Sequence, residues 1–252
     1  MEKLIIKIES YVKENIANFH NSRIEKLKSL KLTELLRAKN PYLYKAKDLN
    51  TAQSVVESLA VAFMSSAEES IFGNWLEGLA IYIATQTYRG RKSSAEGIDL
   101  EMERDDIHYL VSIKSGPKWS NSSSMKKLKE NFAKAQRIYT TSGNKQRVEA
   151  IEGCCYGRPE RSEKERHTKL CGKAFWEFIS GCESLYVDII KPLGADALEK
   201  NQEYKDAYDR MINKFTKEFA NEYCDENGDI CWDEIVRLNS SDLKKKRKRK
   251  FR

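Results

Sequence analysis

Hydrophobic and polar residues alternate along two short segments near the middle of the chain. In segment 98–104, isoleucine, leucine and methionine alternate with acidic residues, and in segment 107–114 every second residue is Ile, Tyr or Val. Because side chains on a strand point to alternate faces, each segment predicts a β-strand with one apolar face. Asp105 and Asp106 lie between the segments and predict a two-residue turn. The two strands therefore form a predicted β-hairpin.

The predicted turn sets the register of the hairpin. It pairs residue 104 with residue 107, which places Asp99 opposite Ser112. Lys114 is then the diagonal neighbour of Asp99 on the same face, about 7–8 Å away. A slip of one residue would move the two side chains to opposite faces. We therefore expect an aspartate and a lysine side by side at the open end of the hairpin.

Helical periodicity covers most of the remaining chain. It predicts two helices within 2–38 and further helices at about 51–64, 67–87, 122–141 and 195–222. Asn121 can cap the helix that ends near Thr141, and Ile138 is the last residue of its predicted buried stripe. Segment 146–156 alternates like a third core strand, whereas segment 157–169 predicts a polar, Arg-rich loop.

The order helix, strand, strand, helix, strand predicts an α/β fold. We expect a small mixed sheet flanked by helices, with additional helices at both ends of the chain. The predicted organisation is an N-terminal helical region (1–50), a core (51–190), a C-terminal helical region (191–243) and a basic tail (244–252).

The hairpin resembles the catalytic hairpin of the PD-(D/E)xK nuclease superfamily. That signature has an Asp at the start of one strand and (Asp/Glu)-x-Lys on the next; here these are Asp99, preceded by Gly-Ile, and Ser112-Ile113-Lys114, with serine in place of the acid. The resemblance extends over about 65–185 and is to type II restriction endonucleases that cut GGNCC-like interrupted palindromes. It implies a restriction-endonuclease-like core.

This resemblance implies hydrolysis of phosphodiester bonds with Mg²⁺. The ion prefers oxygen ligands and is usually held by one or two carboxylates together with substrate phosphate and water. Asp99 is the first candidate ligand, and the backbone carbonyl of Ile113 is another. Lys114 can polarise the attacking water or hold the scissile phosphate, and Ser112 can support the site by hydrogen bonding.

One carboxylate makes a weak cation site, so we expect a second acid from a helix. Glu77 is the first choice, because a carboxylate among small and apolar residues is costly to bury unless it is paired or bound to a metal. Glu101 is the alternative on the hairpin itself. Glu69 is a candidate for a supporting role, and Glu130 on the following helix is a third source of the acid.

The positive charge of the chain is concentrated at its C-terminus. The net charge is +7, with 45 basic and 38 acidic residues, and segment 244–252 alone holds eight bases. This tail can bind phosphates without sequence preference. Within the predicted core, the candidates for DNA contact follow the catalytic strand and the third strand: Lys118, Ser120, Asn121 and Arg158.

The leading hypothesis is a type II restriction endonuclease that cuts double-stranded DNA and leaves 5′-phosphate ends. A palindromic target implies a homodimer. No run of 18 apolar residues is present, so we expect no membrane association. We also expect no organic cofactor and a cytoplasmic location. The alternatives are a repair or structure-specific nuclease on the same scaffold and a non-catalytic nucleic-acid-binding protein.

Overall fold

The computed structural model describes residues 2–158, 160–164, 166–194 and 197–241. The helices are α1 (Glu2–Ser29), α2 (Leu32–Ala38), α3 (Pro41–Ala46), α4 (Ala52–Tyr88), α5 (Ser122–Thr141), α6 (Lys173–Ser180), α7 (Leu185–Asp188), α8 (Ile190–Leu193), α9 (Ala197–Tyr223) and α10 (Trp232–Ser240). The strands are β1 (Arg91–Lys92), β2 (Leu100–Arg104), β3 (Ile107–Lys114), β4 (Arg147–Cys154), β5 (Glu160–Glu163) and β6 (Thr168–Cys171). The predicted α/β fold with a mixed sheet and flanking helices is confirmed.

Within the described residues, the strands form one six-stranded sheet in the order β1-β2-β3-β4-β6-β5. The pairs β3–β4 and β4–β6 are parallel, and the other neighbouring pairs are antiparallel. The hairpin β2–β3 therefore continues into a parallel centre, and α5 is the connection between β3 and β4.

The hairpin has the predicted turn and register. Arg104 pairs with Ile107, and Leu100 pairs with Val111. Asp105 and Asp106 both have positive φ angles, of 53° and 59°. Positive φ at both central residues is the conformation of the two-residue turn that matches the twist of a hairpin. Asp tolerates this left-handed region better than most residues, which explains why the turn forms without glycine.

The central strands are buried on both faces. Leu79 and Ile83 of α4 pack with Val111 on one face, and Phe132 of α5 packs with Leu110 on the other. The second face of the hairpin was expected to be polar, and this was wrong for its centre because the apolar stripe of α5 covers it. The stripe is shorter than predicted, since Ile138 is 53% exposed.

Two predicted helices are in fact one. The segments 51–64 and 67–87 are joined in the single helix α4. The residues between them continue the helix, and the Ser66 hydroxyl donates a hydrogen bond back to the carbonyl of Ala62, one turn earlier, over 3.1 Å. The other long predicted helices, α5 and α9, are confirmed within a few residues.

The predicted loop at 157–169 contains sheet structure. It includes β5 and the first part of β6, which extend the sheet beyond β4. The composition of β5 is polar because it is an edge strand, and edge strands tolerate charged residues that a central strand does not. The same reason applies to β1, a short basic strand at the other edge of the sheet.

The chain divides into two compact units, each made of two separate segments. Unit 1 comprises 1–19 and 70–197, and unit 2 comprises 20–69 and 198–252. The whole sheet and its two apolar layers belong to unit 1, whereas unit 2 has a helical core of its own. Helices α1 and α4 each contribute residues to both units.

Two further predictions concern membrane association and the basic C-terminal tail. Among the described residues, none of the helices has both the length and the apolar character needed to cross a bilayer. The basic tail at 244–252 lies outside the described residues.

Candidate active site

Asp99 lies directly before β2 and is fixed by the hairpin. Its backbone N–H donates to the carbonyl of Val111 over 2.9 Å, which extends the antiparallel pairing by one residue. Its carboxylate Oδ2 accepts hydrogen bonds from the backbone N–H of Ile113 at 2.6 Å and from the hydroxyl of Ser112 at 3.3 Å. The second oxygen, Oδ1, takes part in neither bond. Strand β3 therefore orients this carboxylate through a single oxygen.

Lys114 is the last residue of β3 and lies beside Asp99, as predicted. Its ammonium nitrogen is 3.6 Å from Asp99 Oδ2 and donates a hydrogen bond to the carbonyl of Ile113 at 3.0 Å. The two side chains are 24% and 21% exposed, so solvent or a substrate can reach both. The carbonyl of Ile113 is a candidate cation ligand, and here it accepts a hydrogen bond from the Lys114 ammonium.

Glu77 faces this pair from α4. Burial raises the pKa of the Glu77 carboxyl above its ordinary value, and the Asp99 carboxylate raises it further, while Lys92 and Lys114 act in the opposite direction. The ammonium of Lys92 is 3.9 Å from Glu77 Oε1. A partly exposed carboxyl whose pKa is raised by a neighbouring carboxylate is suited to bind a cation together with that neighbour.

The donor set is consistent with Mg²⁺ and less so with a transition metal. In the part of the chain that the structure describes, no group of three or more His, Cys, Asp or Glu side chains is arranged to hold a metal ion. Mg²⁺ does not require such a group, because it usually keeps several waters and substrate oxygens as ligands. Asp99, Glu77 and the Ile113 carbonyl supply the kind of oxygen ligands that it prefers.

The other candidate acids have different surroundings. Glu101 is paired with Arg91 and accepts a hydrogen bond from the Ser93 hydroxyl at 2.7 Å. Glu130 is 64% exposed, with the Lys126 ammonium one helical turn away. Glu69 is exposed and belongs to unit 2. Glu77, by contrast, has Asp99 among the charges that shift its pKa.

A further carboxylate beside the site, Glu152 on β4, was not predicted from the sequence. It pairs with Ser112 in the parallel register and is fully buried. Its oxygens are 3.0 Å from Nε2 of His167 and 3.1 Å from the ammonium of Lys169, and they accept the indole N–H of Trp119 over 2.8 Å. The signal in the sequence was a single acid within the otherwise apolar run 150–155.

The environment of Glu152 keeps it ionised. Burial disfavours the charged form, but the hydrogen bonds from His167, Trp119 and Lys169 outweigh burial and lower the pKa of Glu152 to about 2. This carboxylate is therefore a buried anion at neutral pH, on the strand next to β3.

The family model of type II restriction endonuclease EcoO109I matches residues 6–201 of the chain. The chain belongs to this family. None of the curated proteins matches it. The matched range of this restriction endonuclease family contains the whole sheet, with Glu77, Asp99, Lys114 and Glu152, and it ends near the start of α9. The site described above thus lies within the part of the chain that matches the family of site-specific DNA endonucleases.

The predicted DNA-contacting residues of this restriction endonuclease lie on two segments that leave the sheet. Lys118 and Arg158 are exposed, and Ser120 is half-buried. Asn121 is exposed, but its side-chain oxygen accepts the backbone N–H of Ser124 at 2.9 Å and thereby caps α5. The structure therefore leaves Lys118 and Arg158 accessible, whereas Asn121 also has a role in ending the loop.

Proposed function

We propose that this restriction endonuclease cuts double-stranded DNA at a GGNCC-like interrupted palindrome, with Mg²⁺, through a PD-(D/E)xK site built on Asp99 and Lys114. The observation that carries the proposal is the ion pair of 3.6 Å between these residues at the end of the β2–β3 hairpin, with the Glu77 carboxylate beside Asp99. The serine of the Ser112-Ile113-Lys114 motif is compensated by this acid from α4.

The residues of the site have distinct roles in this proposal. Asp99, Glu77 and the Ile113 carbonyl hold the cation. When bound, Mg²⁺ stabilises the charge that develops on the phosphate and makes water a better nucleophile. Ser112 and the N–H of Ile113 orient the Asp99 carboxylate. The Lys114 ammonium, which is already directed to Asp99 and to the Ile113 carbonyl, orients the water or the scissile phosphate. Hydrolysis leaves a 5′-phosphate and a 3′-hydroxyl.

DNA binding in this proposal involves both copies of a homodimer. Lys118 and Arg158 contact phosphate or guanine, and Ser120 and Asn121 contact the backbone or a groove edge. Two-fold symmetry of the target then matches the two-fold symmetry of the protein.

The decisive experiment incubates the purified protein with phage DNA in Mg²⁺ or in chelator. We expect discrete fragments only with Mg²⁺, ends that carry a 5′-phosphate, and cut sites that share an interrupted G/C-rich palindrome on sequencing. A smear would indicate a non-specific or structure-specific nuclease, and the absence of cutting would indicate a binding protein. Sedimentation analysis should give twice the mass of the chain.

The site itself is tested by Asp99→Asn, Lys114→Gln and Glu77→Gln. Because each removes a charge that acts on the cation or on the phosphate, we expect cleavage rates to fall by about 10²–10³-fold, with DNA affinity in chelator little changed. Glu103→Gln is the matched control, since Glu103 is an exposed acid on the same hairpin. Full activity in both Asp99→Asn and Lys114→Gln would refute this mechanism.

A further inference from the structure

The face of Trp119 lies against the ammonium of Lys114. The nitrogen Nζ is 5.2 Å from the centroid of the indole ring, within the distance at which a cation is attracted by an aromatic ring. Lys114 therefore has two neighbours that favour its position: the Asp99 carboxylate at 3.6 Å and this ring.

The indole is in turn fixed by the buried anion on β4. Its N–H donates to Oε1 of Glu152 over 2.8 Å. The Glu152 side chain has no exposed surface, and its contacts with His167 and Lys169 hold it in place. A buried carboxylate is costly unless it is paired and hydrogen-bonded. An acceptor that is this well paired is a rigid anchor for the tryptophan.

The loop between Lys114 and Trp119 is held by the side chain of Lys169 and by the backbone of Tyr156. The Lys169 ammonium, which contacts Glu152, also donates to the carbonyl of Pro117 over 3.2 Å. The backbone N–H of Tyr156 donates to the carbonyl of Ser115 over 3.1 Å. Segment 115–119 is thus attached at both ends and at Pro117, and the position of the Trp119 ring is determined by the sheet.

We propose, resting on the function proposed above, that Trp119 is a positioning residue for Lys114 and that Glu152 anchors it. Lysine has a long stem with several rotatable bonds, so a charge at its end is poorly defined without neighbours on more than one side. The indole limits the ammonium to the neighbourhood of Asp99. Trp119 acts through Lys114 and has no contact with the reacting atoms in this proposal.

The kinetic test compares Trp119→Leu, which removes the ring, with Trp119→Phe, which keeps an aromatic face and loses only the N–H. We expect Trp119→Leu to lower kcat by about tenfold, the size of effect typical of a cation–π contact, with KM for DNA unchanged. Trp119→Phe should lower kcat less than Trp119→Leu does, because it keeps an aromatic face beside Lys114 and loses only the hydrogen bond that anchors the ring to Glu152.

Trp75 provides the matched control in the same unit. It is also half-buried, and its indole N–H donates to the carbonyl of Asn15 over 3.1 Å. Trp75→Leu and Trp75→Phe should leave kcat within about threefold of the wild type, because this indole is held by a backbone carbonyl of α1 rather than by the residues around Lys114. Equal losses at positions 75 and 119 would overturn the proposal, since they would show a general effect of losing an indole.

A spectroscopic readout tests the contact without activity. In protein labelled with ¹³C at the lysine ε-carbon, the ring current of Trp119 should shift the Lys114 resonance upfield, and Lys114→Arg identifies that resonance by its loss. The shift should disappear in Trp119→Leu and persist in part in Trp119→Phe. If Trp119→Leu does not fold, Trp119→Phe decides: a Lys114 resonance at the position of a solvated lysine, with full kcat, would overturn the proposal.

The two proposals fail in different ways. A wild-type protein that cuts no DNA in Mg²⁺ refutes the proposed function. An unshifted Lys114 resonance in the wild type, or a resonance and a kcat that are both unchanged by Trp119→Leu, refutes the role of Trp119 even in an active endonuclease.

Discussion

At the scale of residues, the candidate site combines a partly exposed and a buried carboxylate with different roles. Asp99 is partly exposed, and its charge raises the pKa of the Glu77 carboxyl, so it can bind a cation together with Glu77. Glu152 is inaccessible and already paired with His167, Lys169 and Trp119. The difference comes from their partners, because three donors make a buried carboxylate stable as an anion and leave it no need of a metal.

The buried anion predicts how stability depends on pH. The pKa of Glu152 is lowered from 4.5 to about 2 in the folded protein, so its contribution is complete above about pH 4.5 and is lost as the pH falls toward 2. Glu152→Gln should therefore lower the free energy of unfolding by about 3 kcal/mol at neutral pH, with the difference from the wild type shrinking below pH 4.5. Urea unfolding at several pH values measures both.

Glu149→Gln is the control for this measurement. Glu149 lies on the same strand and pairs with Arg147, whose side chain is 74% exposed. Its replacement should change stability by less than about 1 kcal/mol. A loss for Glu152→Gln that does not diminish in acid would mean that the carboxylate is not the source of the stabilisation.

At the scale of elements, the hairpin brings the site together through its turn. Every residue between the turn and Lys114 keeps its register only if Asp105 and Asp106 adopt left-handed backbone angles. The site also depends on α5 and α4, since α5 covers one face of the hairpin and α4 supplies Glu77 from the other side of the sheet. Asp99 and Lys114 are close in the sequence, but Glu77, the second acid of the candidate site, comes from a separate helix.

The turn can be tested with residues that prefer its geometry. Asp105→Asn combined with Asp106→Gly should raise the free energy of unfolding by about 0.5–1 kcal/mol, because glycine adopts positive φ without the cost that other residues incur. Asp106→Val should lower it by about 1–2 kcal/mol. Chemical denaturation checks both, and a destabilising Asn-Gly pair would contradict the turn type.

At the scale of the whole molecule, charge and family membership belong to different parts of the chain. The family match ends at residue 201, and the net charge of +7 depends on the tail, because 37 basic residues face 38 acidic ones without it. We infer that the body carries the site-specific chemistry and that the tail adds affinity for DNA without choosing its sequence.

Removal of the tail separates these two contributions. A protein that ends at Leu243 should bind non-specific DNA more weakly, and the slope of log affinity against log salt should become shallower by about 0.9 for each phosphate that the tail neutralises. The fragments produced from phage DNA should be unchanged. A changed cutting pattern with an unchanged salt dependence would show that the tail takes part in recognition.

The sequence by itself determined the hairpin, its turn, its register and the proximity of Asp99 and Lys114, because strand alternation and a two-residue turn are local properties. It also indicated the helices and the α/β class. Only the tertiary structure decided which distant side chains surround the pair. The buried anion at Glu152 and its hydrogen bond with Trp119 depend on the parallel register of β3, β4 and β6. No local pattern encodes which residues of separate strands become neighbours.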